Sequence, residues 1–316
     1  MRAARRIVSL LPSATEIVCA LGLGDRLVGV SHGCDYPAAV TRLPRVSRSR
    51  RDLTGLSGGA IDAAIRGILA EHESVYEVDV AAVADLAPDL ILTQGLCDVC
   101  AVPAAQVARA WEDLPSPPDV LTLDAHDVGA ILGSIVAVGA ATGTPAKAAA
   151  CVATLEQRIA AVRRRVAGRR RPRVLALEWL DPPYVPGHWV PELIAAAGGE
   201  LIAGRAGRPS YRVEWRDLAG ADPDLLLLMP CGYDRERTIR EAAGVREHLL
   251  RVAPRAIAAR RAYAVEAGAY FSRPGPRFVD GLETLAALAH AGRYFSGEEV
   301  CAVSLDAGGD SPNVSL

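Results

Sequence analysis

Two stretches of this chain share one pattern. Pro88-Asp89 leads into the unbroken apolar run Leu90-Ile91-Leu92, and Pro223-Asp224 leads into Leu225-Leu226-Leu227-Leu228-Met229. A strand with one wet face alternates polar and apolar positions. A run without a polar position must be covered on both faces, which is the situation of strands in a parallel sheet flanked by helices. Each run also follows a short helical pattern, 80–87 or 214–221. These two stretches therefore commit the chain to an α/β fold and suggest that one unit occurs twice.

A second pair of segments extends the repeat. Residues 6–32 and 173–204 each hold a short apolar strand and a loop containing proline. A helix follows, opening at Thr15-Glu16-Ile17-Val18 in the first and at Pro191-Glu192-Leu193-Ile194 in the second. Each helix ends on glycine, as expected past a helix C-terminus, and a second short apolar strand comes next. Each segment reads as a β-α-β unit. The expected architecture is two similar α/β lobes with parallel sheets, residues 1–123 and 173–290, joined by a helical linker over 124–172. Within the linker, Pro145 to Val166 is rich in Ala, Leu, Glu and Arg at helical spacing and precedes Gly168. It predicts one helix of about 20 residues, roughly 30 Å long. Such a spine leaves a cleft between the lobes, and clefts at the carboxyl ends of parallel strands are where ligands bind. Residues 291–316 lose periodicity and read as a loose tail.

At 316 residues the chain is long enough for two domains. Its formal net charge of −2 argues against a general nucleic-acid binder. The arginine-rich stretch 163–173 reads as a solvated helix end and linker. The basic, apolar N-terminus superficially resembles a signal peptide, but Pro12 and Glu16 interrupt it and Arg6–Leu11 reads better as a first core strand. No run approaches the roughly 18 to 20 apolar residues of a membrane span. The expected location is cytoplasmic, with a periplasmic or extracellular one as the alternative, and the odd count of seven cysteines fits reduced thiols better than a disulfide framework.

The loops at the strand ends carry the informative residues. In the first lobe these are Pro12 to Thr15, Ser31 to Pro37 and Thr93 to Cys100. In the second they are Glu178 to Trp189, Arg205 to Tyr211, Met229 to Asp234 and Ala269 to Arg277. In a chain with only 5% aromatic residues, gathering so many of them here points to a large, flat, partly apolar ligand held between aromatic faces, with Arg and Tyr meeting its polar groups.

With these residues in place the chain resembles the substrate-binding proteins of ABC importers for cobalamin and ferric siderophores. The stretches 8–37, 89–102, 222–234 and 270–277 resemble the cobalamin-binding branch in particular. That resemblance implies a corrinoid lying between the lobes and an ABC permease as partner. It implies ligand contacts from Asp35 and Tyr36, with the tyrosine against the corrin ring, from Gln94 and Leu96, and from Trp179, His188, Tyr211, Tyr270, Phe271 and Arg273. The family's permease-docking glutamates fall at Ala81 and Arg216, a departure that sets a cytoplasmic corrinoid carrier or sensor beside the transport reading.

The Cys97-Asp-Val-Cys100 motif leaves alternatives open. With His32 and Cys34 it offers four ligands of the kind zinc or an iron–sulfur cluster takes. It also precedes a helical pattern, as a redox pair would, or it simply lines a pocket. Cys19 and Cys151 lie on apolar helix faces and read as core. No nucleophile elbow, phosphate loop or dinucleotide fingerprint is present, so a binding protein rather than an enzyme is expected.

Overall fold

The computed structural model describes residues 3–72, 74–95, 111, 117–290 and 300–302. In the first lobe the strands are β1 Ile7–Ser9, β2 Leu27–Val30, β3 Ser47–Ser49, β4 Tyr76–Val78, β5 Leu90–Thr93 and β6 Asp119–Thr122. Four of them make a parallel sheet in the order β2-β1-β5-β6. The second lobe holds β7 Arg173–Leu177, β8 Trp179–Leu180, β9 Pro183–Val185, β10 Glu200–Leu201, β11 Tyr211–Arg212, β12 Leu225–Leu228, β13 Ala262–Val265 and β14 Val300–Ala302. Its main sheet runs β10-β7-β12-β13-β14, parallel except for the last pair. The two apolar runs are the central strands β5 and β12, and every residue of both is buried. Residues 300–302, which by sequence fall in the loose tail, add an antiparallel edge strand to β13.

The helices are α1 Pro12–Ala20, α2 Gly58–Glu71, α3 Val80–Leu86, α4 Val128–Ala141, α5 Pro145–Val166, α6 Val190–Ala196, α7 Arg235–Gly244, α8 Arg246–Val252, α9 Pro254–Ala258, α10 Ala267–Tyr270 and α11 Phe278–His290. Helix α1 begins at Pro12, three residues before the expected opening, because proline fits the first turn, where its missing N–H has no partner to lose. The glycines past α1 and α6 adopt the left-handed conformation expected there, with φ of 67° at Gly22 and 77° at Gly198.

The spine is α5, 22 residues long over the expected span. Its buried face (Ala148, Leu155, Ile159, Val162 and Val166) belongs to one continuous apolar core. That core also takes in Ile7, Ile17 and Leu92 of the first lobe and Val174, Leu227 and Leu285 of the second. Arg158 forks onto Glu283 at 2.9 and 2.8 Å and onto Asp280 at 2.5 Å, fastening the spine to α11. Lobes welded through a shared core move relative to each other far less than lobes hung on a flexible linker.

Each lobe also carries a small sheet of its own, β11-β9-β8 in the second and β3-β4 in the first. The chain leaves the first lobe along β3 and returns along β4, the two pairing antiparallel with Ser47 opposite Val78 and Ser49 opposite Tyr76. Between them α2 projects outward, its N-terminus capped by the Ser57 hydroxyl, which accepts from the Ala60 amide at 3.4 Å.

Candidate functional site

Loops from both lobes meet in three places, all at the carboxyl ends of the parallel strands. The first is an ionic cluster. Helix α1 presents Glu16, whose side chain is 3% exposed, toward the second lobe. Arg277 donates to both of its oxygens, at 3.0 and 2.6 Å, and Arg273 donates to Oε1 at 3.3 Å. Arg273 also grips Asp35 at 2.5 and 2.9 Å and donates to the Gly33 carbonyl at 3.3 Å. Arg277 lies 3.9 Å from the centre of the Tyr36 ring. Burial alone would raise the Asp35 carboxyl, but the hydrogen bonds and charge of Arg273 outweigh it and hold the group below the ordinary carboxylate range.

The second meeting place is α2, which crosses the gap like a strap. The Gly58 amide donates to Glu241 Oε2 at 3.0 Å, and its carbonyl accepts from the Trp179 indole at 3.2 Å. The Leu56 carbonyl accepts from Arg237 at 2.9 Å, and the Tyr184 hydroxyl reaches Asp62 at 3.4 Å. A Cβ on Gly59 would stand 2.7 Å from Asp181 Oδ2, so a larger residue there would push that carboxylate aside. Two lobe-two carboxylates, Asp181 and Glu241, thus sit at the positive end of a 14-residue helix.

The third lies beside the spine. His126 and His188 face each other with ring centroids 5.7 Å apart, and the Val128 amide at the start of α4 donates to Glu192 Oε2 at 3.1 Å. His188 adopts the left-handed conformation, φ 49°, and its Nδ1 is buried with no partner among the described residues. Burial, and then the neighbouring His126, lower the His188 pKa. The turn is held by Gly187, where a Cβ would overlap the backbone of Arg208, Pro209 and Ser210. Past the carboxyl end of β5 come Gln94, 5% exposed, and Gly95, whose amide donates to Asp124 at 2.5 Å.

The candidate ligand residues divide accordingly. Asp35, Tyr36 and Arg273 are brought together in the ionic cluster, with Tyr36 48% exposed. Trp179 belongs to the strap contact and also packs 4.9 Å from the Tyr233 ring. Tyr211 pairs with β9 beneath the Arg205 guanidinium, 4.4 Å from its ring centre. Tyr270 and Phe271 are buried in the shared core and back the site. Leu96 lies outside the described residues.

The proposed metal ligands are not assembled among the described residues. The Cys34 thiol is 1% exposed and faces the Thr15 and Ser31 hydroxyls, both at 3.1 Å. Burial raises its pKa, against the pull of those hydrogen bonds and of Arg45. His32 instead meets the Ser47 hydroxyl through Nδ1 at 3.0 Å and packs on Tyr76. Cys97 and Cys100 lie outside the described residues, and among the described residues no three His, Cys, Asp or Glu side chains could hold a metal ion.

Several residues of the site escaped the sequence reading. Glu16 was legible only as one acid on an otherwise apolar helix, and Asp62, His126 and Glu241 carried no signal of their own. A hollow of about 470 Å³ lies at the opposite, N-terminal ends of the second sheet, among Arg169, Arg170, Asp224, Arg255, Arg261 and His290. Arg170 and Arg261 are engaged there by the Asp224 carboxylate and carbonyl, and this is the end of a parallel sheet where ligands do not sit.

Two α/β lobes on a spine helix, with loops of both lobes converging on one cleft, define a two-lobed solute-binding protein. The chain belongs to the periplasmic binding protein family, which its residues 7–259 match. It is thus a member of a family of binding proteins, not of enzymes. It is 55% identical over 42 residues to the vitamin B12-binding protein of Vibrio vulnificus and 57% identical over 44 residues to that of Vibrio cholerae. These matches cover 13% and 14% of this chain, and the chain spans only 15% and 16% of those relatives' length. Among solved structures, the periplasmic vitamin B12 binding protein of Vibrio cholerae has a TM-score of 0.67 at 22% identity, covering 91% of this chain and 97% of that one. A periplasmic heme binding protein from Pseudomonas aeruginosa has a TM-score of 0.68 at 21% identity, covering 94% and 97%. Likeness at this identity establishes the shared fold. Among the described residues, no helix is long and apolar enough to cross a membrane.

Proposed function

We propose that this protein binds a corrinoid between its two lobes. The observation that carries the reading is an exposed aromatic face beside a group suited to carboxamides, at a place where loops of the two lobes meet. Tyr36 lies exposed, and beside it stands the exposed Asp35 carboxylate, an acceptor held in place by Arg273. A corrin ring is large, flat and fringed with amides, so it matches both properties. The stretches of high identity to vitamin B12-binding proteins support the same ligand class. Calorimetry with cobalamin, followed beside the absorption spectrum, tests the reading. A 1:1 complex tighter than roughly 1 µM, near −8 kcal/mol, is expected, and absence of binding by cobalamin and cobinamide alike would sink it.

Family membership makes an ABC permease the natural partner. The positions where the resemblance expects docking glutamates are Ala81 on α3 and Arg216, which is 86% exposed in the short 3-10 turn before β12. A neutral and a positive residue there favour the second reading, a corrinoid carrier that does not dock on the family's usual permease surface. Replacing both by glutamate and measuring association with a cobalamin permease in nanodiscs separates the two readings.

A further inference from the structure

We infer that Asp35 sets the charge of the ligand this cleft accepts, selecting a ring fringed with carboxamides over one fringed with carboxylates. The inference rests on the corrinoid reading and adds a selectivity rule to it. Arg273 and Arg277 are the cations of the ionic cluster, the groups to which a ligand's carboxylates would be drawn. Each already faces a carboxylate. Glu16 takes Arg277 through both oxygens, and Asp35 takes Arg273 through two bonds at 2.5 and 2.9 Å. The cluster therefore sums to zero charge, two guanidiniums against two carboxylates.

The two acids are not equivalent. Glu16 is sealed in, at 3% exposed, between α1 and the second lobe. The Asp35 side chain is 63% exposed and stands at the mouth, next to Tyr36. A ligand carboxylate approaching Arg273 would have to displace Asp35 or sit against it. Either course costs free energy, because like charges brought together without a compensating cation repel. A carboxamide meets no such conflict. Its N–H groups can donate to the outer lone pairs of Asp35.

The test compares two corrinoids with the same ring and opposite fringes, using the full chain. Dicyanocobinamide carries amides and dicyanocobyrinic acid carries free carboxylates. For the unmodified protein, cobinamide should bind at least about a hundredfold tighter. In Asp35→Asn, which frees Arg273, that ratio should shrink by about tenfold or more, chiefly through a gain in affinity for the acid. Asp35→Glu, which keeps the charge, should preserve the ratio. An Asp35→Asn protein that loses affinity for both probes equally, with an unchanged ratio, would overturn the inference and leave Asp35 as an ordinary structural contact. An unmodified protein that binds neither corrinoid would bring down the corrinoid reading, and this inference with it.

Discussion

Glu16 is the residue whose loss should most weaken the join between the lobes. It is buried, it belongs to the first lobe, and both of its oxygens are bonded to second-lobe arginines whose side chains are only 16% and 17% exposed. Glu16→Gln keeps the shape but leaves two guanidiniums facing a neutral amide. Removing one member of a buried ion pair costs about 3 to 5 kcal/mol, and the retained amide places this change near the lower figure. For a chain of this size each kcal/mol is worth roughly 2 °C, so the melting temperature should drop by about 6 °C. Reversible melts followed by circular dichroism measure this, and a cycle with Arg277→Met isolates the pair. The double variant should recover part of the loss, giving a coupling of about 2 kcal/mol. A Glu16→Gln protein that melts within about 1 °C of the parent, or strictly additive single changes, would refute the argument that this pair is buried and shared by the lobes.

Further outcomes follow from the same geometry. Trp179→Phe removes the indole N–H that holds the Gly58 carbonyl, so amide exchange at the start of α2 should accelerate while the lobe cores keep their protection. Gly187→Ala forces apart two backbone segments that touch and should cost several kcal/mol together with ligand binding, read by melting and calorimetry. The pKa values of His32 and His188 are both lowered, chiefly by burial. The folded state therefore binds fewer protons than the unfolded chain below the ordinary value of 6.5, so stability is full above it and falls as pH drops toward the folded values. Melts between pH 7.5 and 5 should decline, and His32→Gln with His188→Gln should flatten the slope. Site-resolved alkylation of the native protein should modify exposed Cys231 long before buried Cys34, and comparable rates would contradict the placement of Cys34 in the core.

The apolar runs at Leu90 and Leu225 made the parallel sheets legible, and the glycines at 22 and 198 marked where paired helices stop. Those signals are local, carried by the residues that obey them. The spine was equally plain because Pro145 to Val166 has helical spacing between a starting proline and a following glycine. The strap was not legible, because its meaning lies in partners far along the chain. Gly58 meets Glu241 and Trp179, and no pattern within 50–75 announces them. The same holds for the ionic cluster. Asp35 and Arg273 stand out as loop residues, but Glu16, placed among apolar neighbours, shows its role only once α1 is set against the second lobe. Tyr270 and Phe271, scarce aromatics in a cleft loop, also pack into the core, a role that their rarity in the sequence did not announce. His32 and Cys34, two residues apart, turn to different partners, the Ser47 hydroxyl for the imidazole and the Thr15 hydroxyl for the thiol.

The central claim is that the cleft takes a corrinoid, and titration of the purified full chain with cobalamin in a calorimeter tests it most directly. The account predicts one site per chain, a dissociation constant below roughly 1 µM, and a loss of at least about tenfold in Arg273→Ala. Heat no greater than dilution for cobalamin and cobinamide, together with saturable binding of haemin, would contradict it.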